Sequence, residues 1–259
     1  MTAPFKVVIP ARYGASRLPG KPLREIAGRP LLQYVYESAC RSGADEVIVA
    51  TDDERVKTAA EKFGAQVCLT SPEHPSGTDR ISEVVNAKGW QADVIVVNLQ
   101  GDEPLMPPQL LDQVAEDLAV HPDAQIATLC TPIDIAEDFH DPNVVKVVRT
   151  QDQYALYFSR APIPWDRDHF SQATEALPLA TQALRHIGLY AYRAGFLRDY
   201  PSSTSCPLEA SENLEQLRAL WSGVRIRVVE AALPPGPGVD TVEDLQRVSR
   251  LIEEKNIKT

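Results

Sequence analysis

A chain of 259 residues, 44% hydrophobic and 24% charged, has the size and composition of one large globular domain or two small ones. Its net charge of −10 argues against a general nucleic-acid binder, which should be basic. No apolar run approaches the ~20 residues a bilayer needs, so no nucleic acid and no membrane is expected as a partner.

In chain order, Phe5–Pro10 reads as a short buried strand. Leu31, Leu32, Val35 and Ala39 then recur at helical spacing, with Gly43 as the stop. Glu46–Thr51 reads as a strand, and Asp53–Phe63 as a helix with Val56, Ala59, Ala60 and Phe63 on one face. Gln66–Thr70 is a third strand, and Thr78–Ala87 a helix with Ile81, Val84 and Val85 inward. Asp93–Leu99 is continuously apolar, which suits the middle of a parallel sheet covered on both faces. Pro108–Leu118 follows as a helix and Gln125–Thr131 as a strand. Such alternation predicts a Rossmann-like, three-layer α/β/α fold with a mainly parallel sheet.

Beyond residue 132 the pattern changes. Asn143–Thr150, Tyr154–Arg160 and Arg185–Arg193 alternate apolar and polar residues as antiparallel strands do, and Pro162–Pro178 reads as a mobile loop. Helices at Glu209–Trp221 and Thr241–Lys255 flank a strand at Val224–Glu230. One domain over 1–259, with 132–210 as an embedded antiparallel β-rich lobe, is the economical arrangement. Cys40, Cys68, Cys130 and Cys206 are scattered without ligand spacing and no signal-peptide core opens the chain, so a cytoplasmic protein with reduced thiols is expected.

The first 30 residues carry six cations (Lys6, Arg12, Arg17, Lys21, Arg24, Arg29) against one acid, Glu25. Between Pro10 and Leu23 runs PARYGASRLPGKPL, which is neither a Walker A loop nor a GxGxxG fingerprint: five residues separate Gly14 from Gly20, and Pro22 follows Lys21. Backbone amides of such a turn, with Arg12, Arg17 and Lys21, can neutralise a triphosphate. A solvated surface loop explains the composition equally well. Downstream, Val96–Leu99 runs directly into Gln100-Gly101-Asp102-Glu103-Pro104, which sets a carboxylate at the C-terminal end of a strand, where open α/β sheets bind ligands. A turn or capping Asp is the plain alternative. Asp240, in GVDT just before a helix, has the position of an N-cap, and Thr78 or Asp79 in HPSGTDR has the same. His186, Gly188, Tyr190 and Tyr192 share one face of their strand.

The loop resembles the signature of sugar nucleotidyltransferases, and closely that of the CMP-KDO synthetase family, where KDO is 3-deoxy-manno-octulosonate. HPSGTDR, LQGDEP, YFSRAPIPW, RHIGLYAYR, ENLEQLR and GVDT follow in the family's order. The resemblance implies a nucleotide-diphospho-sugar transferase fold and a cytidylyltransferase that makes CMP-KDO and pyrophosphate from CTP and KDO for lipopolysaccharide. It implies Mg2+ held by Asp102 and Asp240, with Arg12 and Lys21 holding the triphosphate as the other catalytic residues. Ala11, Ser16, Ser76, Thr78, Asp79 and Arg80 join Arg12 and Lys21 around the nucleotide, Arg80 reading cytosine. Gln100, Arg160, His186, Tyr190, Glu215 and Gln216 take the sugar. A homodimer is also implied, with the β-rich lobe as its surface. Ala15 departs from the family, which carries a hydroxyl residue there; Ser16 keeps one. Rivals are an enzyme for 8-amino-KDO or sialic acid, the latter disfavoured by RHIGLYAYR and ENLEQLR, and a non-catalytic relative, disfavoured by both metal carboxylates being present.

Overall fold

Along residues 3–14, 18–170 and 182–257, which the computed structural model describes, strands and helices alternate up to residue 132 much as the hydrophobic spacing predicts. The elements are β1 (Phe5–Pro10), β2 (Glu25–Ile26), β3 (Arg29–Pro30), α1 (Leu31–Cys40), β4 (Glu46–Thr51), α2 (Glu54–Lys62), β5 (Gln66–Leu69), α3 (Gly77–Lys88), β6 (Ile95–Asn98), α4 (Pro108–Val120) and β7 (Ile126–Pro132). Then come α5 (Ala136–His140), β8 (Lys146–Arg149), β9 (Ala155–Ser159), α6 (Arg167–Phe170), β10 (Leu184–Arg193), α7 (Ala194–Asp199), α8 (Pro207–Glu212), α9 (Gln216–Trp221), β11 (Ile226–Glu230) and α10 (Val242–Ile257). The loop expected over Pro162–Pro178 contains α6 and otherwise lies partly outside the described residues.

The main sheet has the order β11-β7-β10-β6-β1-β4-β5. β10 is antiparallel to both β6 and β7, and every other neighbouring pair on this path is parallel. β10 therefore stands against six strands that share one direction. It also pairs with β8, which pairs with β9, so the antiparallel segment grows out of the main sheet.

Helices cover both faces. α1, α2 and α4 pack Leu32, Val35, Val56, Ala60, Leu110, Leu111 and Val114 on one side; α3, α7 and α9 pack Ile81, Val84, Val85, Leu197 and Leu217 on the other. Burying each such large side chain contributes roughly 1.5–3 kcal/mol. β10 serves both layers, with Ile187, Leu189 and Ala191 facing α4 and Tyr190 and Tyr192 facing the opposite way.

Its pairing with β7 is broken by a bulge, because Ile187 stands opposite Leu129 while Tyr190 stands opposite Thr128. The two extra residues preserve the alternation, so His186, Tyr190 and Tyr192 still form one row of rings, 5.2 and 5.6 Å apart.

One helix is expected over Glu209–Trp221, but the structure has two. Asn213 adopts a left-handed φ of 50°, a conformation Asn tolerates, and ends α8 there. A third apolar cluster joins distant parts of the chain: Leu18, Ile26 and Leu31 pack against Val239, Val248 and Ile252. It docks α10 beside the cationic loop that follows β1.

Candidate active site

The loop after β1, the loop before α3 and the turn after β6 meet at the C-terminal ends of the parallel strands. Ala11 is buried and its N–H donates to Ala50 O at 2.8 Å, which fixes where the loop departs. Gly101 lies against it; a Cβ at that position would be 2.8 Å from Pro10 O, so only glycine lets the two backbones come this close. Arg12 donates from Nη2 to His74 O and, at 3.2 Å, to Ser76 O, tying the cationic loop to the next. Ala15, Ser16 and Arg17 lie outside the described residues.

Ser76, rather than Thr78 or Asp79, caps α3. Its Oγ accepts from Asp79 N at 3.1 Å and donates to Asp79 Oδ2 at 2.6 Å. Asp79 is thereby spent on the cap. Thr78 faces the other way and donates to Glu215 Oε2 at 3.0 Å. Arg80 is fully buried and donates to Thr70 Oγ1 and, at 3.1 Å, to Asp52 Oδ2. It lines neither of the two cavities described below. Burial holds its guanidinium below the usual arginine range, partly offset by Asp52. The geometry makes it a buried link from α3 to Thr70 and Asp52.

Lys21 connects the two acidic turns. Its Nζ donates to Asp102 Oδ2 at 2.7 Å and Asp240 Oδ1 at 3.0 Å. Burial lowers its pKa, but the charge and hydrogen bonds of Asp102 and Asp240 outweigh that and leave it raised. The turns are also joined through the backbone, by Val239 N donating to Asp102 O at 2.9 Å. Asp240 is not the cap of α10. Thr241 does that work: its Oγ1 accepts from Asp244 N at 3.2 Å, while Asp244 Oδ2 accepts from Thr241 N at 3.1 Å. The Asp240 carboxylate is left directed at Lys21. Two hard carboxylate oxygens converging on one cation form a donor pair suited to Mg2+, which takes one or two carboxylates and completes its shell with phosphate and water. Among the described residues no cluster of three or more His, Cys, Asp or Glu could hold a metal.

Two cavities meet at Gln100. The outer one is lined by Ala11, Arg12, Lys21, Ser76, Gln100 and Asp102, and the inner one, about 220 Å3, includes Thr78, Asn98, Gln100, Tyr190, Glu215 and Gln216. Burial, with Asp79 nearby, raises the Glu215 carboxyl, although Ser76 and Thr78 hydrogen bonds oppose the rise. His186 lines a third, neighbouring cavity with Glu103, Arg185 and Gly188, and Gly188 also borders the inner one. Its Nε2 lies 3.0 Å from Thr128 Oγ1 and its ring packs edge-on to Phe158.

Arg160 is not brought to these cavities. Its guanidinium donates to three backbone carbonyls, Glu212 O at 2.7 Å, Pro142 O at 2.8 Å and Asn213 O at 3.5 Å, and so pins α8 to the β8–β9 segment.

Sequence reasoning passed over Glu103 and Asn98. Burial first, then the nearby Asp102 and Asp240, push the Glu103 carboxyl up to about 8. An acidic doublet directly after a buried strand was the available signal. Asn98 ends that strand, fully inside, and Gln100 Nε2 lies 3.4 Å from its Oδ1.

Comparison with known proteins identifies the family and the fold. Residues 6–226 match the cytidylyltransferase family. A 3-deoxy-manno-octulosonate cytidylyltransferase of Pseudomonas syringae pv. syringae is 56% identical over 98% of this chain and 100% of its own. One from Halorhodospira halophila is 57% identical over 97% and 98%. Among solved structures, CMP:2-keto-3-deoxy-manno-octonic acid synthetase complexed with CTP superimposes with a TM-score of 0.88 at 43% identity, covering 97% of this chain and 99% of that one.

Proposed function

The chain belongs to the cytidylyltransferase family, and on that premise we propose that it joins KDO to CMP, consuming CTP and releasing pyrophosphate, for lipopolysaccharide assembly in the cytoplasm. The observation that carries the reading is Lys21 held between Asp102 and Asp240 at the edge of a cavity that Gln100 joins to a second one lined with hydroxyls, amides and a carboxylate.

CTP takes the outer cavity, its phosphates against Arg12, Lys21 and the backbone amides of the loop after β1, with Ser16 contributing a hydroxyl. KDO takes the inner cavity, oriented by Gln100, Tyr190, Glu215 and Gln216, with His186 at its border and Arg160 securing the wall behind. The anomeric hydroxyl then faces the α-phosphorus, and pyrophosphate leaves on the opposite side. Holding the two substrates in line and neutralising phosphate charge supply most of the acceleration. Asp102 and Asp240 would hold Mg2+, whose charge, when bound, offsets that of the phosphates. A homodimer through residues 132–210 completes the proposal.

Pyrophosphate release tests it, measured with Mg2+ and each of CTP, ATP, GTP and UTP, beside KDO, 8-amino-KDO and sialic acid. Release with CTP and KDO alone is expected, and Asp102→Asn should abolish it in a protein of unchanged fold. Release with another sugar only would move the error to the inner cavity; near-normal turnover of Asp102→Asn would remove the role given to that carboxylate.

A further inference from the structure

Buried polar atoms in folded proteins are almost all hydrogen-bonded, so one without a partner asks for a physical account. Among the described residues four side-chain atoms are in that state: Arg80 Nε, Ser82 Oγ, Tyr200 Oη and Glu215 Oε1. The last two belong to residues that line the same space, the inner cavity behind Gln100. Tyr200 is only 4% exposed, and both atoms are closed off from bulk solvent without a protein partner.

Their chemistries are complementary. A phenol carries a proton to donate, and a carboxylate oxygen only accepts. A carbohydrate hydroxyl does both at once. The other Glu215 oxygen is already engaged by Thr78, so Oε1 is the one left for a ligand.

Tyr200 is also held still. It follows α7 directly, and the Arg218 guanidinium lies 4.8 Å above its ring. Arg218 is itself fixed in a two-pronged pair with Glu209 at 2.8 and 2.6 Å. Phe196, 5.6 Å away, closes another side of the ring and continues the aromatic row through Tyr192 to Tyr190. A side chain locked by its neighbours can aim a hydroxyl, and a binding contact needs that aim.

We propose that Tyr200 is a further substrate-binding residue: its phenol donates to a sugar hydroxyl that in turn donates to Glu215 Oε1. The inference rests on the reading that the sugar occupies the inner cavity, and it adds a residue that determines which hydroxylated acid sugars fit. A bound water between the two atoms is the competing occupant.

Tyr200→Phe, which keeps the ring and deletes the hydroxyl, separates them. If the wild type releases no pyrophosphate from CTP and KDO, the functional reading fails and Tyr200 has not been the cause. Given wild-type release, the variant should lose roughly tenfold or more in kcat/KM for KDO, since a buried partner is left unpaired in the complex. KM for CTP should stay within twofold, and Tm should hold or rise, because the free protein loses an unpartnered buried hydroxyl. One deoxy-KDO analogue, the one lacking the contacted hydroxyl, should be used equally well by both proteins. KDO kinetics within twofold of wild type would mean that only water is held there and would overturn the proposal. A rate loss accompanied by a lower Tm, or shared equally by CTP, would overturn it too.

Discussion

Burial alone would push the Lys21 ammonium towards its neutral form, yet the two carboxylates around it more than reverse that. His186 lacks such compensation. Burial, with the Arg185 charge second, pushes its imidazole down to about 3. Between that value and the unfolded value of ~6.5, the unfolded chain binds more protons than the folded one, so stability is lost as pH falls through this window. The loss is at most about 1.4 kcal/mol per pH unit. Urea midpoints at pH 7 and pH 5 should therefore fall further for the wild type than for His186→Gln, and equal falls would show that the ring is not held neutral. The residue scale is also where the sequence was hardest to read. The family resemblance implies that Arg80 and Arg160 are ligand cations, but Arg80 donates to Asp52 and Thr70, and Arg160 goes to backbone carbonyls. Nothing local in a sequence reports which of several nearby acceptors an arginine will find. Tyr200 and Asn98 escaped notice for the converse reason: each looks like ordinary core until the cavity beside it is known.

At the scale of elements the pattern was far more legible, because periodicity reports which face is buried. β1, β4 and the start of α4 fall where apolar spacing puts them. α5, α7 and the β2–β3 hairpin were missed, being too short to show a period. The hairpin turns on two left-handed residues, Ala27 at φ 48° and Gly28 at φ 74°, and only the glycine is a recognisable signal. The split of α8 from α9 depends on one residue, Asn213, whose left-handed conformation a helical pattern cannot reveal. The segment before Asp240 has a sharper requirement. A Cβ at Gly236 would lie 2.6 Å from Leu105 O, and one at Gly238 3.0 Å from Glu103 Oε1. Gly236→Ala must therefore push this segment off the turn that carries Asp102 and draw the two carboxylates apart. We expect turnover to fall at least a hundredfold, with the rest of the sheet still folded by far-UV circular dichroism. Activity within a few-fold of wild type would show that the segment can shift without disturbing Asp240.

Across the whole molecule, the three-layer arrangement followed from the order of elements, whereas the place of β10 did not. Its alternating residues announced an antiparallel strand, but pairing partners lie far away in sequence, and its insertion between β6 and β7 is a tertiary fact. At its margin β9 pairs with β8 and leaves Leu156 61% exposed, while Ile135 is 55% exposed. If the 132–210 lobe is the dimer surface, sedimentation of the 28.5 kDa chain should give twice that mass, and Leu156→Asp should return it to a monomer. A monomeric wild type would leave the lobe without that role.

The path of the chain through the site also sets an order of events during synthesis. Lys21 is made early, Asp102 midway, and the final strand of the sheet is complete at Glu230, before Asp240 has been added. A chain that leaves the ribosome too soon can thus contain every strand and much of both cavities, yet hold only one of the two carboxylates. On the metal-binding role proposed for Asp240, the carboxylate pair is the last part of the site to be made.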